Sequence, residues 1–177
     1  MFHLADTAST FAVTMATGRH VFIPRFDPVD TLAAIQAEKV TNATLVPTMV
    51  NMVVNHPRFA EFDVSSLKLV LYGASPMPEG VIRKAMAVMP RVRFMHAYGM
   101  TEATISTVDA PPGERVPGSV GRPVPGVEVR IVDESDRDVP PGATGQVLLR
   151  GHNLMSGYLD DPDETAAALR CGWMHTG

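Results

Sequence analysis

Short apolar runs alternate with amphipathic segments through the first hundred residues of this 177-residue chain. The strand-like runs cover residues 43–46, 67–72 and 92–97. Between them, residues 47–57 and 78–88 have the apolar spacing of helices that bury one face. Strands that alternate with helices form parallel sheets joined by right-handed crossovers. The alternation therefore predicts an α/β fold, a parallel sheet with crossover helices.

Three further elements are predicted before this alternation begins. Residues 10–17 favour a helix that stops at Gly18, and residues 20–23 form an apolar run typical of a strand. Asp27 is a good N-cap and precedes a proline, which favours a helix that continues to about residue 40.

The pattern changes after about residue 108, where glycine and proline become frequent. Residues 126–132 and 145–150 alternate like two strands and flank a turn-rich loop, which predicts an antiparallel hairpin. Residues 160–169 favour a short helix capped by Asp161. We expect an α/β subdomain over residues 1–108 and a small, truncated β-rich subdomain over residues 109–177.

Composition excludes several functional classes. The formal charge is −4 and the basic residues are scattered, which argues against nucleic acid as a partner. One cysteine, Cys171, cannot form an internal disulfide framework or a cysteine-based zinc site. No apolar stretch is long enough to span a bilayer, and the first residues lack the basic start of a signal peptide. We expect a cytoplasmic protein.

A glycine turn, Gly73-Ala74-Ser75-Pro76, follows the strand predicted at residues 67–72. A backbone with such small side chains can lie flat against a planar ligand such as a purine. An ordinary tight turn between strand and helix explains the same residues.

His96 and Tyr98 lie two residues apart at the end of the next predicted strand, and so point to the same side of it. Tyr98 is suited to stack on a purine, and His96 to hydrogen-bond to the edge of the base. A core histidine beside a packed tyrosine is the alternative.

The next four residues suit a phosphate and its metal ion. Gly99 and Met100 are expected to turn the chain. Thr101 then offers a hydroxyl to a phosphate oxygen, and Glu102 offers a hard oxygen ligand to magnesium. A simple helix cap formed by Thr101 and Glu102 is an equally plain interpretation of this spacing.

The run Tyr98-Gly99-Met100-Thr101-Glu102 resembles the Tyr-Gly-x-Thr-Glu signature of the adenylate-forming superfamily. That superfamily includes acyl-CoA synthetases, firefly luciferases and the adenylation domains of peptide synthetases. Four other motifs of the superfamily are matched in the same order. The first two are Phe2-His3 and Gly73 to Pro76, the third combines Gly145, Gly151 and Gly157-Tyr158, and the fourth is Trp173 to Gly177. Several ordered matches over the whole chain are far more specific than one.

The resemblance implies a role for each matched residue. Thr101 would hold the α-phosphate and Glu102 would bind magnesium, so these two are the candidate catalytic residues. The backbone of Gly99 and Met100 would border the acyl carboxylate, and His3 would act as a gate beside the acyl tunnel. The residues implied in nucleotide binding are Gly73, Ala74, Ser75, Pro76, His96, Ala97, Tyr98, Gly99, Met100 and Thr101.

The implied reaction joins a carboxylic acid to ATP, releasing pyrophosphate, and then passes the acyl group to coenzyme A. His3 stands where amino-acid-activating relatives usually carry an aspartate for the substrate ammonium. A fatty or other apolar acid is therefore favoured over an amino acid, which remains the alternative. The implied cofactors and co-substrates are ATP/AMP, Mg²⁺ and coenzyme A.

Three expected parts of such an enzyme have no match here. These are a glycine-rich phosphate loop before Phe2, an aspartate after Gly177, and a C-terminal domain with a catalytic lysine. We expect a central piece of a longer polypeptide, with no turnover when isolated. A non-catalytic nucleotide-binding or scaffold piece, or a β-rich interaction module joined to a Rossmann-like half, are the alternatives.

Overall fold

The computed structural model describes residues 4–109, 116 and 118–177. The chain divides into two units. The first comprises Met1–Ala97 with Asp109–Gly121, and the second comprises Tyr98–Val108 with Arg122–Gly177.

The first unit is a parallel sheet with helical crossovers. Strands β1, β2 and β3 pair in sequence order and all run parallel, with Asn42 beside Leu69 and Leu69 beside Arg93. Its elements are α1 (Leu4–Met15), α2 (Pro28–Glu38), β1 (Asn42–Leu45), α3 (Pro47–Val54), β2 (Leu69–Gly73), α4 (Glu79–Val88) and the start of β3 (Arg93–Met100). The predicted α/β architecture is confirmed.

Local sequence explains the helices of this unit. The Asp27 side chain accepts hydrogen bonds from the backbone N–H groups of Val29 and Asp30, at 2.7 and 3.0 Å, and so caps α2. Proline occupies the first turn of both α2 and α3, where its missing N–H costs nothing. The buried core includes Ile35, Val50, Val54, Val70, Tyr72 and Phe94.

Two predictions about the first residues are wrong. Residues 20–23 form no strand: Val21 and Phe22 are exposed, and Phe22 stacks on His20 with ring centroids 5.7 Å apart. Apolar character alone does not make a strand when no neighbouring chain pairs with it. Helix α1 also begins at Leu4, six residues before the predicted start.

The second unit is mainly antiparallel. Its elements are the end of β3, then β4 (Thr104–Val108), β5 (Arg122–Pro123), β6 (Val127–Val132), β7 (Gln146–Gly151), α5 (Pro162–Ala168) and β8 (Met174–His175). Strands β6 and β7 pair antiparallel over six residues each, which confirms the predicted hairpin. The predicted helix is α5, and Asp161 caps it by accepting a hydrogen bond from the Glu164 N–H at 3.1 Å.

A small apolar cluster stabilises this second unit. Ala103, Leu149 and Met174 are its fully buried members. The guanidinium carbons of Arg130 and Arg150 lie 5.2 and 4.4 Å from the centroid of the Trp173 ring, within cation–π distance. No helix in the described ranges is both long and apolar enough to cross a membrane.

Candidate functional site

The glycine turn follows β2 as the sequence predicts. Gly73 pairs with Ala97 on β3, and a Cβ on Gly73 would overlap the Ala97 carbonyl oxygen. Ala74 takes a left-handed conformation with φ of 67°, and Ala74, Ser75 and Pro76 are all exposed. The turn therefore presents bare, solvent-accessible backbone before α4 begins at Glu79. That surface suits a flat ligand.

His96 is buried, and its ring stacks on Tyr72 with centroids 4.8 Å apart and planes inclined by 16°. Its backbone is held by two hydrogen bonds with Asp109. The His96 N–H donates to Asp109 Oδ2 at 2.8 Å, and the Asp109 N–H donates to the His96 carbonyl at 2.9 Å. Neither ring nitrogen of His96 hydrogen-bonds to another residue in the described part of the chain.

The chain does not turn at Gly99 and Met100, so that prediction is wrong. Both residues continue β3, and the turn comes at residues 101–103. A Cβ on Gly99 would overlap the Thr104 carbonyl oxygen, so only glycine allows the backbone on either side of the turn to approach this closely. Tyr98 is half-buried on the strand, one residue before Gly99.

Thr101 and Glu102 are not a helix cap. The turn that contains them leads directly into β4, so the helical alternative is wrong. Thr101 is exposed, and within the described ranges its hydroxyl forms no hydrogen bond. An exposed hydroxyl in a tight turn is open to a ligand.

Glu102 has a hydrogen-bond partner that is not apparent from the sequence. The Tyr158 hydroxyl donates a hydrogen bond to Glu102 Oε1 at 3.0 Å, and the Met155 N–H donates to the Glu102 carbonyl at 2.7 Å. The hydrogen bond to this carboxylate raises the pKa of Tyr158 above its usual 10.0, with partial desolvation and the charges of Glu102 and Glu164 acting in the same direction. Gly157-Tyr158 matches a superfamily motif, but the motif match alone assigns no function to Tyr158.

The oxygen atoms of this turn suit a cation that is already bound to the phosphates of a nucleotide. Glu102 Oε2 hydrogen-bonds to no residue among those described, so one carboxylate oxygen stays free. The described residues contain no group of three or more His, Cys, Asp or Glu side chains that could enclose an ion. Magnesium is commonly held by one or two carboxylates together with substrate phosphates and water, which requires no such enclosure.

His3, predicted to border the acyl tunnel, lies outside the described residues. A small apolar cavity in the first unit is lined by core side chains such as Leu32, Val50 and Phe94, and by none of the described residues predicted for the site.

Comparison with known proteins decides the family. The family model described as "AMP-binding enzyme" matches residues 1–159. The chain belongs to this family. Among curated relatives of this AMP-binding family member, indoleacetate–CoA ligase of Aromatoleum aromaticum is 36% identical over 100% of the chain and 35% of the relative. Feruloyl-CoA synthase of an Amycolatopsis species is 37% identical over 100% of the chain and 36% of the relative.

The fold comparison agrees. The amide bond synthetase McbA from Marinactinospora thermotolerans superposes with a TM-score of 0.83 at 36% identity, covering 90% of this chain and 33% of McbA. The chain thus spans about a third of the length of the curated relatives it matches.

Proposed function

We propose that this chain is the part of an AMP-forming acid–thiol ligase that binds the nucleotide and the activated carboxylate. The observation that carries the proposal is the exposed turn after β3, where the unpartnered Thr101 hydroxyl stands beside a Glu102 carboxylate with one free oxygen. Membership in the AMP-binding family supports it, and so do the ligase and synthase names of its relatives.

In this proposal the nucleotide base is bound by flat backbone and aromatic surfaces. Residues Gly73 to Pro76 lie against adenine, Tyr98 stacks on it, and His96 with Ala97 contacts the base edge. The exposed glycine turn and the free ring nitrogens of His96 support these roles. Aromatic stacking contributes about 1–3 kcal/mol per base, which is enough to orient a nucleotide.

In the chemical step a carboxylate must approach the phosphate of ATP, although both are negatively charged. A carboxylate oxygen of the acid attacks the α-phosphorus of ATP, the bond to the bridging oxygen of the β-phosphate breaks, and pyrophosphate leaves. Magnesium bound through Glu102 would neutralise phosphate charge. The Thr101 hydroxyl donates to an α-phosphate oxygen, and the backbone of Gly99 and Met100 borders the acyl carboxylate. The coenzyme A thiolate then attacks the acyl carbonyl, and AMP leaves.

An apolar, and in particular aromatic, acid is the proposed substrate class. The names of two relatives contain indoleacetate and feruloyl, both aromatic acyl groups. His3 in place of an acidic residue supports an acid without an ammonium group, with amino-acid activation as the second candidate. The McbA title names an amide bond synthetase, so an amine is the second candidate for the acceptor.

We further propose that the chain acts within a polypeptide of about its relatives' length, located in the cytoplasm, and lacks turnover when isolated. The chain's coverage of about a third of each relative supports this arrangement. A non-catalytic nucleotide-binding piece is the alternative for the chain alone.

Nucleotide binding tests the site. Calorimetry with the chain should detect weak, magnesium-dependent AMP binding. Tyr98→Ala should weaken it by about 5- to 150-fold, since one stacked base is lost. Glu102→Ala should abolish the magnesium dependence.

Phe22→Ala is the matched control, because Phe22 is an aromatic side chain 73% exposed and outside the proposed site. Binding that survives both Tyr98→Ala and Glu102→Ala unchanged would contradict the proposed site.

A further inference from the structure

Two hydrogen bonds from one short segment hold Glu102. The Tyr158 hydroxyl donates to Oε1, at the end of the Glu102 side chain, at 3.0 Å. The Met155 N–H binds its backbone carbonyl at 2.7 Å. Since a glutamate side chain has three rotatable bonds, fixing both ends removes most of the freedom of the carboxylate.

The tyrosine is itself held in place from α5. Its backbone N–H donates to Thr165 Oγ1 at 2.9 Å, and the same hydroxyl donates to the Asp161 carbonyl at 2.7 Å. Gly157, at φ of 151°, lies so close to Thr165 that a Cβ would come within 2.9 Å of Thr165 Cγ2. The Gly-Tyr pair is therefore seated against the first turn of α5.

The hydrogen bond leaves the carboxylate usable. Tyr158 donates to Oε1 alone, and Oε2 has no partner among the residues that the structure describes. An oriented carboxylate with one oxygen satisfied and one free has the form of a metal ligand held by an outer hydrogen bond. Simple packing does not account for the arrangement, because Tyr158 is 38% exposed.

We propose that Tyr158 is a positioning residue that orients the Glu102 carboxylate toward the magnesium–nucleotide complex. The proposal rests on the function proposed above. Tyr158 touches neither the substrate nor the reacting atoms, and acts only through Glu102. Loss of such an outer hydrogen bond typically costs about 10- to 100-fold in metal affinity or activity.

Tyr158→Phe tests this in the full-length polypeptide that carries the chain, since it removes the hydroxyl and keeps the ring. Calorimetric titration of ATP at several Mg²⁺ concentrations should show a requirement for Mg²⁺ raised by about 10- to 100-fold. Nucleotide binding measured without the metal should be unchanged. Leu159→Ala is the matched control, because Leu159 is 91% exposed and should leave the Mg²⁺ requirement as in the wild type.

The double variant separates positioning from folding. If Tyr158 acts through Glu102, then Tyr158→Phe should have no further effect on the Mg²⁺ requirement in a Glu102→Gln background. A Tyr158→Phe protein with a lowered melting temperature but the wild-type Mg²⁺ requirement would overturn the proposal and leave the proposed function standing. If ATP binding by the wild-type protein did not depend on Mg²⁺, both the role of Tyr158 and the proposed function would be overturned.

Discussion

His175 is a buried histidine whose ring is only partly satisfied. Its Nδ1 lies 3.3 Å from Gln146 Oε1, while its buried Nε2 has no hydrogen-bond partner among the described residues. Burial lowers the pKa of His175 from the usual 6.5, the charge of Arg170 lowers it further, and Asp136 partly opposes both.

This histidine should make the stability of the chain depend on pH. Because the pKa of His175 is lowered in the folded chain, the unfolded chain binds more protons at this residue as the pH falls through 6.5. The free energy of unfolding should therefore fall as the pH drops from about 7.5 to about 5.5. Urea unfolding at several pH values measures this slope.

The slope should be smaller in His175→Gln, which cannot titrate. His152→Gln, which removes an exposed histidine, is the control for the substitution itself. Equal slopes for wild type and His175→Gln would show that His175 is not responsible.

At the level of single residues, the sequence indicates candidate site residues but not the residues that hold them in place. Thr101 and Glu102 stand side by side, so their spacing and the surrounding motif were visible in the sequence. The partner of Glu102 is 56 residues away, and that distance can be closed only by folding. Asp109, which holds the backbone of His96, is 13 residues away from it and was hidden for the same reason.

The pairing of β2 with β3 depends on the absence of a side chain at Gly73. A Cβ there would overlap the Ala97 carbonyl oxygen, which is backbone and cannot rotate away. Gly73→Ala should therefore lower the free energy of unfolding by about 1–3 kcal/mol, the usual cost of overpacking. Chemical denaturation monitored by circular dichroism gives this value.

Gly80→Ala is the matched control. Gly80 lies in α4, and a Cβ there would meet nothing within 4 Å. Alanine at this exposed helical position should be neutral or stabilising by up to about 1 kcal/mol. If the two variants had the same stability, the close approach at Gly73 would be unimportant.

Among the elements, segments with a clear period were predicted well, including the short helix α5, whereas two short runs were misjudged. Helices α2 and α3 begin at the prolines that the sequence indicates. Strand β4 was missed because Thr101 and Glu102 resembled the start of a helix, although four of its five residues, Thr104, Ile105, Thr107 and Val108, are β-branched. The false strand at residues 20–23 is the converse error, an apolar run without a strand partner.

At the scale of the whole molecule, the architecture followed from the alternation of strands and helices, and the family from ordered motifs. The identity of the substrate acid cannot be predicted in this way. An acyl pocket is formed by side chains distant in sequence, and no local pattern encodes its shape or depth. We propose that the activity likewise requires more of the polypeptide than these residues, since the relatives are about three times as long.

ATP–pyrophosphate exchange in the full-length polypeptide tests the central claim most directly. Acid activation predicts exchange that requires both Mg²⁺ and a carboxylic acid, with aromatic and fatty acids supporting it better than amino acids. The isolated 177-residue chain should show none. If the full-length polypeptide binds ATP but shows no exchange with any acid, acid activation is contradicted. Robust exchange by the isolated chain would contradict the proposal that activity needs the remaining sequence.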